Sequence, residues 1–252
     1  MKNSIKYTLA ASALSLLAAC GGGGSDSGGS VANVPVEGAW QGTTSNNYVV
    51  NLIALENNDF YTIFGVNSGS NLLVYGFDQG TTSVSGSSIS GSFREYPNGA
   101  SSYTGTVSGT AIASTSIAGK NTYATGASTF AMTPIPTATF NYNRAASISD
   151  VQGSWMGTMS SGSSATVTIT SSGAIAGSSA GCLFSGTATP RSSGKNVMNV
   201  SVTFGAAPCV LAGQTTTGIA INYTIAATNQ KQLIVAVQDS TKQYGSMFMA
   251  VR

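Results

Sequence analysis

The only two tryptophans of this chain sit in the same short motif, and that repetition constrains the fold more than any other feature. Val36-Glu37-Gly38-Ala39-Trp40-Gln41-Gly42-Thr43 and Val151-Gln152-Gly153-Ser154-Trp155-Met156-Gly157-Thr158 share Val, Gly, Trp, Gly and Thr in register. Trp40 and Trp155 lie 115 residues apart, which is the length of a small domain. The chain therefore reads as two tandem domains, 34–145 and 148–252, joined by the small and polar Arg144-Ala145-Ala146-Ser147.

Each half reads as short strands at hairpin spacing. In the second half, Ala165-Thr166-Val167-Thr168-Ile169-Thr170 alternates with period two and Ser171-Ser172-Gly173 turns the chain back. Further runs follow at 182–189, 196–204, 216–226, 232–238 and 245–251. The first half repeats the pattern at 39–45, 48–55, 59–66, 71–77, 83–95, 102–113, 116–124 and 138–143, with Asn57-Asn58-Asp59 and Pro97-Asn98-Gly99 as turns. No segment after residue 20 keeps a 3.6-residue apolar period, so an all-β chain with little helix is expected. About eight antiparallel strands per half can close as a barrel or stack as a β-sandwich.

The Gly-x-Trp opening of each half resembles the first strand of lipocalin- and avidin-like barrels, whose Trp plugs one barrel end. That resemblance implies two tandem eight-stranded barrels. It does not extend to an avidin-type ligand, because no further tryptophans are available to surround one.

Lys2 and Lys6 followed by the apolar or small run from Tyr7 to Ala19 form the charged and hydrophobic regions of a secretory signal, with residues 1–19 removed. The run is shorter than the roughly 20 residues needed to span a bilayer. Leu17-Ala18-Ala19-Cys20 resembles the bacterial lipobox, which implies acylation of Cys20 and a membrane anchor of several acyl chains, such as palmitate. Gly21, where an Asp would favour inner-membrane retention in families of this kind, implies the outer membrane. Residues 20–33 then read as a lipidated Cys and a flexible tether, since the Gly- and Ser-rich GGGGSDSGGS has no apolar area to bury.

Removing residues 1–19 leaves equal numbers of basic and acidic side chains, and charged residues are only 7% of the chain. No basic surplus exists to bind nucleic acid. Export makes a disulfide between Cys182 and Cys209 the expected state. It closes a loop that contributes about 3–4 kcal/mol on the chain-entropy account.

Catalytic chemistry is thinly represented. The chain has no histidine, which removes Ser-His-Asp and Cys-His arrangements and His-based metal sites. The acids Glu37, Glu56, Asp59, Asp78 and Glu95 of the first half are scattered, and Glu56, Asp59 and Asp78 lie beside turn residues, which reads as turn capping and solvation. Met247 and Met249 share a strand face, and core filling accounts for them better than copper. No cofactor is expected.

Aromatic residues separate the halves: fourteen in the first against six in the second. In Asp59-Phe60-Tyr61-Thr62-Ile63-Phe64 adjacent aromatics must face opposite sides of a strand. Tyr48, Tyr61, Tyr75, Tyr96 and Tyr103 are therefore candidates for a contact surface toward a protein or glycan.

The expected function is a non-catalytic binding or interaction protein of the outer membrane, facing the periplasm or the surface. Two alternatives stay open. A small-molecule carrier requires a continuous apolar cavity of about 300 Å³ or more inside a barrel. A glycoside-acting enzyme requires two carboxyl groups converging within about 10 Å in a cleft. An interaction protein instead requires an exposed aromatic patch of several hundred Å².

Overall fold

The computed structural model describes residues 32–68, 71–97 and 102–252. The stretches expected to be a signal sequence and a tether, with Cys20, fall almost wholly outside these residues. The first half comprises β1 (Gly38–Thr44), β2 (Val49–Ala54), β3 (Asp59–Ser68), β4 (Asn71–Ser85), β5 (Ser88–Pro97), β6 (Tyr103–Ile112), β7 (Ser116–Tyr123) and β8 (Gly126–Pro134). A four-residue helix, α1 (Ile148–Val151), leads into the second half. There follow β9 (Gly153–Met159), β10 (Ser164–Ile169), β11 (Ala174–Ser179), β12 (Cys182–Pro190), β13 (Met198–Phe204), β14 (Thr215–Ile225), β15 (Gln230–Asp239) and β16 (Gly245–Val251). Each set closes into an antiparallel up-and-down barrel, β1 pairing with β8 and β9 with β16. Barrels rather than sandwiches are formed.

The repeated tryptophan motif is the closing device of both barrels. Trp40 Nε1 donates to the Val36 carbonyl at 2.9 Å, and Trp155 Nε1 donates to the Val151 carbonyl at 2.7 Å, four residues back in each case. The glycines between them, Gly38 and Gly153, have φ of +146° and +110°, a turn that a side chain would strain. Both indoles are buried at one barrel end. The second glycine of each motif, Gly42 or Gly157, lies opposite the last strand, where a Cβ would run into the carbonyl of Ala131 or Met249. The motif thus supplies the turn, the plug and the close approach that closure needs.

The second barrel follows the expected strands closely. In the first, the eighth strand is β8 and not 138–143. The inward side chains of β8 are Ser128, Phe130 and Met132, all buried. Residues 138–143 instead form turns whose aromatics pack on the second barrel: Phe140 meets the Tyr223 ring at 5.1 Å, and Lys195 lies over the Tyr142 ring at 5.2 Å.

The two barrels are not beads on a linker. A core cluster lies between them, contributed by Ile53, Ile63, Phe77 and Tyr96 of the first barrel and by Ile219, Ile221, Ile234 and Met247 of the second. Phe77 and Tyr96 stack at 4.7 Å, and Gly245 lies flat beneath them where a Cβ would meet both rings. β15 is buried on both faces, one toward its own barrel core and the other toward the first barrel. Polar contacts surround the cluster. Tyr96 donates to Gln238 at 2.7 Å, Gln238 donates to Gln79 at 3.0 Å, and ion pairs join Arg191 to Glu56 at 2.7 Å and Lys195 to Glu37 at 2.8 Å. The stretch read from sequence as a join is held too: Arg144 pairs with Asp150, and Ser147 caps α1 through a capping box.

The Cys182–Cys209 disulfide forms. It lies at the barrel end opposite Trp155, pinning the β13–β14 loop so that Cys209 and Leu211 enter the barrel core. Replacing both cysteines by serine is expected to destabilise the protein by about 2–4 kcal/mol, lowering Tm by roughly 5–15 °C in a thermal melt. An unchanged Tm would show that the loop stays in place without its cross-link.

Candidate ligand cavity

The same strand plan yields a hollow barrel in one half and a filled one in the other. The first barrel encloses a cavity of about 860 Å³, whereas the second retains about 30 Å³. In the second, Val167, Ile169, Phe184, Val202, Phe204 and Phe248 meet across the lumen, and the pinned loop stoppers its far end. In the first, several inward positions are glycine, and rings lie flat against them instead of crossing the lumen. The Phe93 ring covers Gly105, the Phe60 ring reaches over Gly80, and Phe130 covers Gly119. A side chain at any of these glycines would drive the ring off the wall.

One end of the cavity is shut. Trp40 plugs it beneath Val34 and Val36, and the segment before β1 is tied to the β4–β5 turn by Val34 N–H to the Gly86 carbonyl and by Gly86 N–H to Asn33 Oδ1. At the other end the lining residues Asn46, Tyr103 and Thr125 are exposed, so among the described residues the lumen reaches solvent there. The wall near Trp40 is apolar, formed by Val50, Leu52, Ile89, Ile117, Phe130 and Met132. Farther up, Thr62, Asp78, Glu95, Asn121 and Tyr123 add a polar band.

Two acids of that band are direct partners across β4 and β5, Asp78 opposite Glu95. Asp78 is not at a solvated turn, as its neighbours Gln79-Gly80 suggest in the sequence. It sits in mid-strand with 3% of its surface exposed, and its Oδ1 has no hydrogen-bond partner. Burial, reinforced by the Glu95 charge, pushes the Asp78 carboxyl well above the usual carboxylate range. Burial also raises Glu95, against the opposing hydrogen bond from Tyr123, whose phenol donates to Glu95 Oε2 at 2.7 Å. Burial first, and then the Asp78 charge, makes the Tyr123 phenol harder to ionise. No lysine or arginine is among the described residues lining the cavity.

The other candidate acids are accounted for elsewhere. Glu37 and Glu56 form the ion pairs between barrels, and hydrogen bonds from its own turn and from Arg191 hold Glu56 below its ordinary value despite partial burial. Asp59 pairs with the Asn57 side chain in a turn. Met247 is buried between the barrels, with Met249 packed on the same cluster.

The five candidate tyrosines divide by position. Tyr48, Tyr75 and Tyr103 line the cavity, and Tyr48 packs edge-on to Tyr75 at 6.1 Å. Tyr61 and Tyr96 do leave the first barrel's core, but they face the second barrel and are buried, so neither is available to a partner. Sequence reasoning passed over Asp78, Glu95 and Tyr123 as a site. Their one shared signal is inward phase on long strands, legible only once the register is known. No family of known proteins matches the chain, and no curated protein is measurably similar to it.

Proposed function

We propose that this protein is a non-catalytic carrier that holds a small, largely apolar molecule inside its first barrel. The observation that supports this is the contrast between the halves: one barrel is filled and stoppered, and the other keeps an aromatic-lined lumen open to solvent at one end. The volume lies within the range of small-molecule sites, about 300–1,000 Å³. The lipobox-like Leu17-Ala18-Ala19-Cys20 and the Gly-rich tether favour a carrier anchored by acyl chains to the bacterial outer membrane, facing the periplasm or the surface.

The rival readings find less support. An interaction surface toward a protein or glycan loses Tyr61 and Tyr96, which leaves Tyr103 and Tyr244 as its exposed tyrosines among the described residues. Glycoside hydrolysis needs carboxyl groups flanking a sugar. Asp78 and Glu95 do bring two carboxyl groups together in the cavity, as that reading requires, but side by side on one wall and not across a bound sugar.

Mass spectrometry of the protein purified from its own membrane, native and then denatured, tests the proposal. We expect a small mass that is carried in the native state and released on denaturation, leaving a chain that begins at acylated Cys20. Val107→Trp, which fills the lumen from β6, is expected to abolish the carried mass. A wild-type protein that carries nothing, or a Val107→Trp protein that carries the same molecule, would count against the carrier reading.

A further inference from the structure

The first barrel contains a feature that an apolar ligand alone would leave unsatisfied. Buried acids occur in folded proteins with donors around them. Asp78 is almost fully buried, faces the lumen and has an oxygen without a partner. Its neighbour across the sheet is a second acid, Glu95, which accepts one hydrogen bond from Tyr123. Of the side chains facing this pair, Thr62 comes from β3 and Tyr123 from β7, and neither brings a positive charge. The rings of Phe60, Phe93 and Tyr123 lie next to it, Phe93 meeting Phe60 at 6.4 Å and Tyr123 at 5.5 Å, both edge-on.

We infer that the molecule carried in this lumen is an organic cation, an apolar or aromatic body bearing one protonated amine that donates to the free oxygen of Asp78 and to Glu95. This rests on the carrier reading and names the ligand class of the same cavity. The apolar wall near Trp40 takes the body of the ligand. The acid pair takes the ammonium, and the neighbouring ring faces add cation–π attraction. An anionic ligand is disfavoured by the same pair. A metal ion is a poor fit, since no group of three or more His, Cys, Asp or Glu side chains placed to hold one occurs among the described residues. In the empty barrel a proton can occupy the pair, so arrival of the ammonium releases that proton to solvent.

The test compares three molecules of one shape on the full chain: naphthylethylamine, naphthylethanol and naphthylacetate, titrated with calorimetric and fluorescence readout. At pH 8 the amine is expected to bind at least tenfold more tightly than the alcohol, with the acid weakest. In Asp78→Asn the amine-to-alcohol ratio is expected to fall toward one. In the unaltered protein the same ratio is expected to fall as pH drops toward 4, because the acid pair takes up protons while the amine keeps its charge. That second arm needs no variant to fold. Equal binding of amine and alcohol at pH 8, or a preference that survives Asp78→Asn, would overturn the inference and leave the carrier reading standing. Failure of all three to bind would overturn both.

Discussion

Cut between residues 145 and 148 and expressed separately, the two halves are expected to be insoluble or to associate, not to behave as monomeric barrels. Each half has a closed sheet, so no strand edge is exposed. What separation exposes is the shared cluster. Ile53, Ile63 and Phe77 on one side and Ile221, Ile234 and Met247 on the other are all buried between the barrels. Side chains of this size contribute roughly 1.5–3 kcal/mol each when fully buried. Their sum is comparable with the whole net stability of an ordinary domain, about 5–15 kcal/mol. The buried Gln79–Gln238–Tyr96 chain of hydrogen bonds is lost as well. Co-expressed halves should copurify, and the intact chain should unfold in one transition by circular dichroism and by tryptophan fluorescence, since one Trp reports on each barrel. Two soluble monomeric halves with native spectra would show that the interface is dispensable.

The barrel pair was largely legible because its carrier signals are local. The Gly-x-Trp repeat marks each first strand, and period-two alternation in Ala165–Thr170 and its successors marks the walls. The disulfide is an expectation from the export signal read in the sequence and from the cysteine count, and the pair does form. The hollow of the first barrel was not legible, because it depends on rings lying over glycines such as Gly105 and Gly80 from other strands. That packing also disguises Asp78. Gln79-Gly80 reads as a turn, yet Gly80 lies in mid-strand under the Phe60 ring. β8 escaped for a related reason, since Gly126-Ala127-Ser128 resembles loop composition while its phase is that of a wall. The interface left one visible trace. Leu233-Ile234-Val235-Ala236-Val237 does not alternate, and such a run marks a strand buried on both faces.

Asp78→Asn is expected to make the ligand-free protein more stable at pH 8 and to change it little at pH 4. Burial, with the Glu95 charge beside it, raises the Asp78 carboxyl in the folded chain, whereas in the unfolded chain it titrates near the ordinary value of about 3.9. Between those two values the folded state holds a proton that the unfolded state has lost. Stability therefore falls with rising pH across that window. The contribution is complete below the unfolded value and disappears as pH climbs through the folded one. Glu95, also raised by burial, acts in the same direction. An asparagine never ionises, so the variant escapes this loss while keeping the shape of the site. Relief of a buried group without its partners corresponds to about 1–3 kcal/mol, hence roughly 3–10 °C in Tm. A gain of the same size at both pH values would mean that packing, not ionisation, is responsible. A loss at pH 8 would mean that the carboxylate is well accommodated in the empty barrel. The expected pairing, a more stable protein that has lost its preference for the amine, is the signature of a residue retained for binding at the expense of the fold.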